Sequence, residues 1–387
     1  ILASMGILVI LLGLVVMAWA TRRLIRTMIG VVMPGESDNL SDLIFSNLQL
    51  SKGPKVVVIG GGTGLSVMLR GLKAKTYNLT AVVTVADDGG STGRIRQDLD
   101  IIAPGDLRNC LVALADKEGL MEKLFAHRFG GSGNLTGHSF GNLFIAALIE
   151  VLGDVEEAMD ATSKVLRVRG KVIPSSAEKL RLNAEMTDGR IVEGESQIPH
   201  AHGKIKRVFT TPEHPRAIQS AVDAIKEADA IVLGPGSLYT SIMPNLCVPD
   251  IVQAVRTSKA PKIYICNVMT QPGETDDYTV SDHIRAINRQ AGGKVIDFVI
   301  ANNGDVDPAV LQRYVAHGSH PVMIDKKEVS QTGATLILSD LINKENSATH
   351  DTKKLANVLF DLINALRTDL SPELLHYYLK RYTFNHR

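Results

Sequence analysis

The stretch Lys55-Val-Val-Val-Ile59, followed by glycines at 60, 61, 62 and 64, constrains the fold more than any other part of the chain. A β-branched run without polar alternation suits a central parallel strand covered on both faces. The residues Leu65 to Leu72 then carry apolar side chains at helical spacing, and Leu79 to Val85 reads as a second buried strand. The unit is therefore strand, glycine turn, helix, parallel strand, which commits the chain to a layered α/β architecture. The same alternation returns later, with strands predicted at Ala230–Leu233, Lys262–Cys266, Val295–Ala301 and Val322–Ile324. Helices are predicted between them at Asp250–Ser258, Thr279–Ala291 and Pro308–Val315. Residues 171–209 carry turns such as Thr187-Asp188-Gly189-Arg190 and read as a small β-excursion from a mostly parallel, doubly wound sheet with helices on both faces. The expected folded body spans residues 53–367 and closes with a helix over Asp351–Arg367, leaving 368–387 as a tail with the aromatic basic segment Tyr377–Tyr382.

Composition removes several classes. Lys and Arg total 42 against 41 Asp and Glu, and this balance argues against a nucleic-acid partner, which would demand a basic excess. An aromatic share of 5% speaks against a base-stacking platform. Three distant cysteines, Cys110, Cys247 and Cys266, exclude a disulfide framework and a CxxC metal site. Mean hydropathy is +0.08, and the apolar excess sits at one end. No charged residue occurs from Ile1 to Ala20, a run that spans about 30 Å as a helix. Arg22, Arg23 and Arg26 follow at once, so residues 1–21 are expected to anchor the chain as a transmembrane helix, with a linker over 22–52 and the body on the cytoplasmic face. A cleaved signal peptide ending near Ala18-Trp19-Ala20 is the rival reading, although such peptides carry their positive charges before the apolar run.

Four polar, glycine-bearing loops follow predicted strands. Gly61, Gly62, Thr63 and Gly64 open a helix, where free N–H groups and the helix dipole attract phosphate; the plain alternative is a tight turn. The spacing is neither that of a dinucleotide fingerprint nor that of a P-loop. Asp87-Asp88-Gly89-Gly90-Ser91-Thr92-Gly93-Arg94-Ile95-Arg96 places paired carboxylates, able to hold Mg²⁺ or accept a proton, beside arginines suited to phosphate oxygens. Asp87 and Asp88 are thus the candidate catalytic or metal-binding pair, and an ordinary capped turn is the alternative. Asn109 in Pro104-Gly105-Asp106-Leu107-Arg108-Asn109, and His138 and Asn142 in Gly137-His138-Ser139-Phe140-Gly141-Asn142, stand at the starts of apolar helices, where Asp106 or Ser139 would serve as an N-cap. Gly236, Ser237 and Tyr239 lie in Gly234–Leu246, after the strand that opens the second half. Ligands of doubly wound sheets sit outside the strand carboxyl ends, so these loops are expected to converge on one crevice.

Taken together, the words at 60–66, 85–96, 104–115, 137–143 and 234–246 resemble the 2-phospho-L-lactate transferase (CofD-like) family, and more closely its gluconeogenesis-factor (YvcK) branch, over about residues 55 to 367. The resemblance implies a Rossmann-like sheet with ligand at its carboxyl edge. It also implies either an Mg²⁺-dependent transferase with a nucleotide diphosphate donor, or a binder of uridine diphosphate sugars tied to gluconeogenic growth, cell shape and cell-wall synthesis. Carried over by motif, Gly61, Gly62, Thr63 and Gly64 contact nucleotide or phosphate, Asp87 and Asp88 take the acceptor or metal position, and Asn109, His138, Asn142, Gly236, Ser237 and Tyr239 line the crevice. Further expectations are a homo-oligomer and partners among cell-wall synthesis proteins or kinases. Hydroxyls at Thr349 and Thr352, beside Lys353 and Lys354, offer a phosphorylation site, with a solvated cap on Asp351 or Thr349 as the alternative.

Overall fold

The computed structural model describes residues 2–32, 48–116, 119–343 and 347–368. The chain divides into two compact units, up to Lys52 and from Gly53 onward. In the first, the apolar run forms a single helix, α1 (Leu2–Val32), which continues past the arginines instead of ending at residue 21. Among the described residues no helix is long and apolar enough to cross a membrane, so the spanning expectation for 1–21 is not supported. The helix also takes in residues that the linker was expected to hold, because Arg22, Arg23 and Arg26 are good helix formers and no proline occurs before Pro34. Pro34–Asn39 and the tail segment Tyr377–Tyr382 lie outside the described residues.

The second unit is built on a seven-stranded sheet. In chain order its first strands are β1 (Val56–Gly60), β2 (Leu79–Val83) and β3 (Lys171–Pro174). After an antiparallel three-stranded excursion of β4 (Arg181–Met186), β5 (Ile191–Glu193) and β6 (Ile205–Thr211), the sheet resumes with β7 (Ala230–Leu233), β8 (Lys262–Ile265), β9 (Phe298–Asn302) and β10 (Thr335–Ser339). The spatial order is β10-β9-β8-β7-β1-β2-β3, and every pairing in it is parallel. All five residues of β1 and all four of β7 are buried, as their unbroken apolar sequences require.

Two sequence expectations are corrected here. Residues 171–174 belong to the edge of the main sheet and pair with β2, so the excursion begins only at Arg181. Val322–Ile324 is no strand: Pro321 and Met323 make single bridges, and the last strand is Thr335–Ser339, which enters after the left-handed turn at Gly333. Val322 donates to the Val268 carbonyl at 3.0 Å and Met323 accepts from Val280 at 3.0 Å, but Pro321 has no N–H to give and the pairing stays at single bridges.

The strands run outward in both directions from the β1/β7 pair. From β1 the chain passes to β2 and β3 on one side, whereas from β7 it passes to β8, β9 and β10 on the other. Right-handed crossovers travelling in opposite directions put helices on opposite faces and splay the loops that follow β1 and β7. This opens a crevice at the carboxyl ends of the two central strands.

Helix α2 (Gly62–Leu72) leaves this crevice and buries Leu65, Met68, Leu69 and Leu72. Its packing against the closing helix (Thr352–Arg367) depends on Gly71, where a Cβ would run into the Thr352 carbonyl oxygen and approach the Ala356 Cβ to 2.7 Å. Asp351 caps that closing helix, its Oδ1 accepting from the N–H groups of Lys353 at 2.9 Å and Lys354 at 2.8 Å. Gly71→Val is therefore expected to lower stability by about 1–3 kcal/mol through overpacking, read as a drop in thermal midpoint, with Gly71→Ala falling between. A variant as stable as the parent would show that the two helices do not pack as described.

Candidate functional site

The turn after β1 makes the first wall of the site. Gly61 is extended and fills the N-cap position of α2 without a side chain to accept a hydrogen bond, and Gly62 takes φ +67°, a conformation that favours glycine. The first-turn N–H groups of α2 have no intrahelical acceptors. The loop after β7 makes the second wall, with Gly234 at φ +79° and Gly236 at φ +154°. The two walls touch: a Cβ on Gly64 would lie 2.9 Å from the Pro235 carbonyl oxygen and 3.1 Å from the Gly236 amide nitrogen. Asn245 ties the second loop to the first strand, its Nδ2 donating to the Gly60 carbonyl at 3.2 Å and to the Ser241 carbonyl at 2.9 Å. Asn267 braces Gly236 by donating to its carbonyl at 2.9 Å, and Gln271 donates to the Ser237 hydroxyl at 2.6 Å.

Between these walls lies a cavity of about 550 Å³, lined by Gly61–Gly64, Pro235–Ser237 and Asn267–Pro272, with Tyr314, His317, Thr349 and His350 on its far side. Among the described lining residues there is no lysine, arginine, aspartate or glutamate. A negative ligand here meets main-chain N–H groups, hydroxyls and amides, with the dipole of α2 behind them. Such a cavity has the volume and mixed lining of a small-molecule site.

Carboxyl groups cluster on the side of the glycine turn next to β2. Helix α4 (Gly105–Leu114), which follows α3 (Gly90–Leu99), presents Asp106, whose carboxyl accepts from the Gly62 N–H; a Cβ on Gly61 would come within 2.5 Å of its Oδ2. Burial, then the charge of Asp87, push the Asp106 carboxyl up to about 7. Asp87 is also raised by burial, although the Gly89 N–H, at 2.9 Å from its Oδ1, and the Thr92 hydroxyl oppose the shift. Glu195, at the start of the short helical turn Glu195–His200, is pushed up to about 8 by burial and then by Asp87, Asp88, Glu274 and Asp106. Glu274, buried under the turn Leu238–Ile242, is raised to about 7 by burial, while the Thr240 hydroxyl donates to it at 3.2 Å.

The expected site residues fall into three groups. Gly61, Gly62, Thr63, Gly64, Gly236 and Ser237 line the cavity together. Asp87 belongs to the carboxyl cluster, whereas both oxygens of Asp88 accept main-chain N–H groups, from Glu195 at 3.1 Å and Ser196 at 2.9 Å, anchoring the excursion to the β2 loop. The others stand away from the cavity in local networks. His138 Nδ1 lies 3.2 Å from the Ser91 hydroxyl, to which Asn142 donates at 3.3 Å. Asn109 accepts from Arg108, Arg94 donates to the Thr136 carbonyl at 2.9 Å, and the Tyr239 hydroxyl pairs with that of Tyr278 at 2.7 Å. Glu195 and Glu274 were not singled out from the sequence, since each is a lone acid in a polar loop with no spacing signal. Asp106 was read only as a cap.

An Mg²⁺ ion commonly keeps several waters and takes one or two carboxylates plus substrate phosphates. Asp87 would supply one such carboxylate, its Oδ1 also accepting the Gly89 N–H, whereas Asp88 gives both oxygens to main-chain donors. Among the described residues no group of three or more His, Cys, Asp and Glu is arranged to hold a metal by itself.

The raised carboxyls set the pH response. A Glu titrating near 4.5 when unfolded and about 8 when folded binds more protons in the folded state, so its stabilising contribution is present below pH 4.5 and is lost as pH rises to 8. Asp106, moving from 3.8 to about 7, acts in the same direction. The thermal midpoint of the ligand-free protein is expected to fall between pH 5 and 8.5, and Glu195→Gln to flatten that slope. An unchanged slope would remove Glu195 from the cluster.

Comparison with known proteins agrees with this construction. The family model described as 2-phospho-L-lactate transferase CofD matches residues 56–342. A Bacillus subtilis protein named gluconeogenesis factor is 50% identical over 311 residues, covering 80% of this chain and 98% of that protein. One of the same name from Listeria monocytogenes is 45% identical over 312 residues, covering 80% of this chain and 96% of its own. A crystal structure of a Bacillus halodurans protein superposes with a TM-score of 0.78 at 48% identity, covering 80% of this chain and 99% of that one. With the glycine turn, the carboxyl cluster and the β7 loop all inside the matched span, the chain belongs to the 2-phospho-L-lactate transferase (CofD) family.

Proposed function

We propose that the protein binds a uridine diphosphate sugar in the cavity between the β1 and β7 loops and acts as a regulator of gluconeogenic growth, cell shape and cell-wall synthesis. The carrying observation is the cavity without Lys, Arg, Asp or Glu among its described lining residues, with the first turn of α2 at Thr63 and Gly64 on one wall and small, hydroxyl-bearing residues opposite. A diphosphate laid across the contact of the two loops meets donors from both, and the remaining volume leaves room for base and sugar. The names of the relatives support the metabolic part of this reading. Protein partners of cell-wall synthesis, a kinase and self-association belong to the same proposal.

Calorimetric titration of the full chain with uridine diphosphate N-acetylglucosamine tests it. Saturable heat is expected, and Gly64→Val, which forces the two loops apart, is expected to weaken binding at least tenfold. Absence of heat at millimolar ligand would contradict the proposal.

A group-transfer reading is favoured by one further observation: the Asp106 carboxyl lies against the glycine turn and the Asp87 carboxyl against Gly105 beside it, and burial raises the proton affinity of both. In it the acceptor oxygen would attack the distal phosphorus as the bond to the departing nucleoside monophosphate breaks, Asp87 would take the hydroxyl proton, and a Mg²⁺ held by the ligand's phosphates would supply charge neutralisation. Asp87→Asn would then abolish turnover with nucleotide affinity nearly intact, whereas equal loss of both would refute the role. Asp88, the other member of the expected pair, keeps its two oxygens on the Glu195 and Ser196 N–H groups.

A further inference from the structure

A second cavity, of about 790 Å³, lies on the other side of Asp88 from the glycine turn, between α3 and the three-stranded excursion. It is lined by four basic side chains, Arg94, Arg96, Lys179 and Arg181, and by three acids, Asp88, Asp100 and Glu193. The acids are engaged already. Asp88 accepts the Glu195 and Ser196 N–H groups, Asp100 pairs with Lys179, and Glu193 pairs with Arg181 at 3.1 Å. Arg94 donates to the Thr136 carbonyl. Arg96 alone among these side chains makes no hydrogen bond or ion pair to a described residue, although it is half-buried on the inner face of α3. Asp88 and Asp87 attract it from a distance and Arg181 repels it, and burial holds its guanidinium below the usual arginine value.

The Arg96 guanidinium carries five donors in a fixed plane, gives none of them to a described residue, and stands half-buried on the wall of an open cavity where a ligand can reach it. Arg181 lines the same cavity, held by one exposed ion pair to Glu193, and its charge repels that of Arg96, so an anion taken up between the two arginines would offset both. Phosphoryl oxygens match the planar fork of arginine, which is why arginine recurs where phosphate is gripped bidentately. The rest of the lining supplies the amides of Gln97 and Gln197 and the hydroxyls of Ser196 and Thr211, which suit the hydroxyls of a small polar ligand. Nothing in the uncharged cavity accounts for this arrangement.

We propose that this basic cavity is a second ligand site, taking the phosphate monoester of a small polyhydroxylated molecule, with Arg96 and Arg181 gripping the phosphoryl group. The site is separate from the proposed nucleotide-sugar cavity and does not depend on it. Because Asp88 both lines this site and anchors Glu195, occupancy here bears directly on the wall that carries the carboxyl cluster.

The test uses the full chain with glucose 6-phosphate as probe and glucose as the uncharged control, read on the arginine Nε–H resonances, with that of Arg96 assigned by its loss in Arg96→Lys. Saturable movement of the Arg96 signal with glucose 6-phosphate and none with glucose is expected. By calorimetry, Arg96→Ala is expected to weaken the probe at least tenfold and Arg96→Lys less, while Arg207→Ala, on a surface arginine paired with Glu185, leaves it unchanged. Thermal midpoints within a few degrees of the parent show that the variants fold. An Arg96 signal that does not move at 50 mM probe, or equal affinity in Arg96→Ala, overturns the proposal. Titration of Arg96→Ala with uridine diphosphate N-acetylglucosamine reports the other cavity separately, so loss of one site is distinguished from loss of both.

Discussion

The close approach of Gly64 to Pro235 and Gly236 is the constraint on which the site depends. The loops after β1 and β7 touch because their strands are parallel neighbours, register Val56 to Ala230, while the chain leaves them in opposite directions. A side chain at Gly64 would separate the loops, and a side chain at Gly61 would drive away the Asp106 carboxyl. The glycines are thus explained by contact as much as by turning. Only Gly62, Gly234 and Gly236 of this group also need a left-handed backbone.

The electrostatics divide across the same turn. On one side is a cavity without charged side chains, in which attraction for an anion comes from oriented amides. On the other stand Asp87, Asp106 and Glu195, whose proton affinity is raised by burial first and, for Asp106 and Glu195, by the charge of Asp87 next, which keeps part of the cluster neutral near pH 7. Neutral carboxyls beside an anion cost little, whereas full ionisation would oppose phosphate binding. Proton uptake and ligand binding are accordingly coupled in the same direction.

Much of the central sheet was legible because a parallel strand buried on both faces is written as an unbroken apolar run, as at Val56–Ile59 and Ala230–Leu233. The glycine turn and the β7 loop were legible because close approach leaves only small residues possible. The edges were harder. Lys171–Pro174 has an exposed first residue and lies next to antiparallel strands, so its pattern does not announce which sheet it joins. The apolar triplet at 322–324 imitates a strand that Pro321 prevents. The N-terminal run reads as a membrane span by composition, yet the helix extends through three arginines and no described helix is long and apolar enough to cross a membrane. In the site, the roles of Asp88, His138, Asn142 and Tyr239 were hidden, because a polar residue in a loop looks the same whether it faces a ligand or ties two loops together. Glu195 and Glu274 were invisible for a related reason: their proximity arises only when the excursion and the Thr270–Thr275 loop fold back beside β2 and β7.

The central claim is that an anionic ligand is held at the β1/β7 switch point by main-chain donors and not by basic side chains. A crystal structure of the protein with uridine diphosphate N-acetylglucosamine tests it most directly. The account predicts the diphosphate across Gly61–Gly64 and Gly236–Ser237, with no lysine or arginine among the described residues touching it. A diphosphate bound instead against Arg96 and Arg181, with the glycine turn empty, would contradict it.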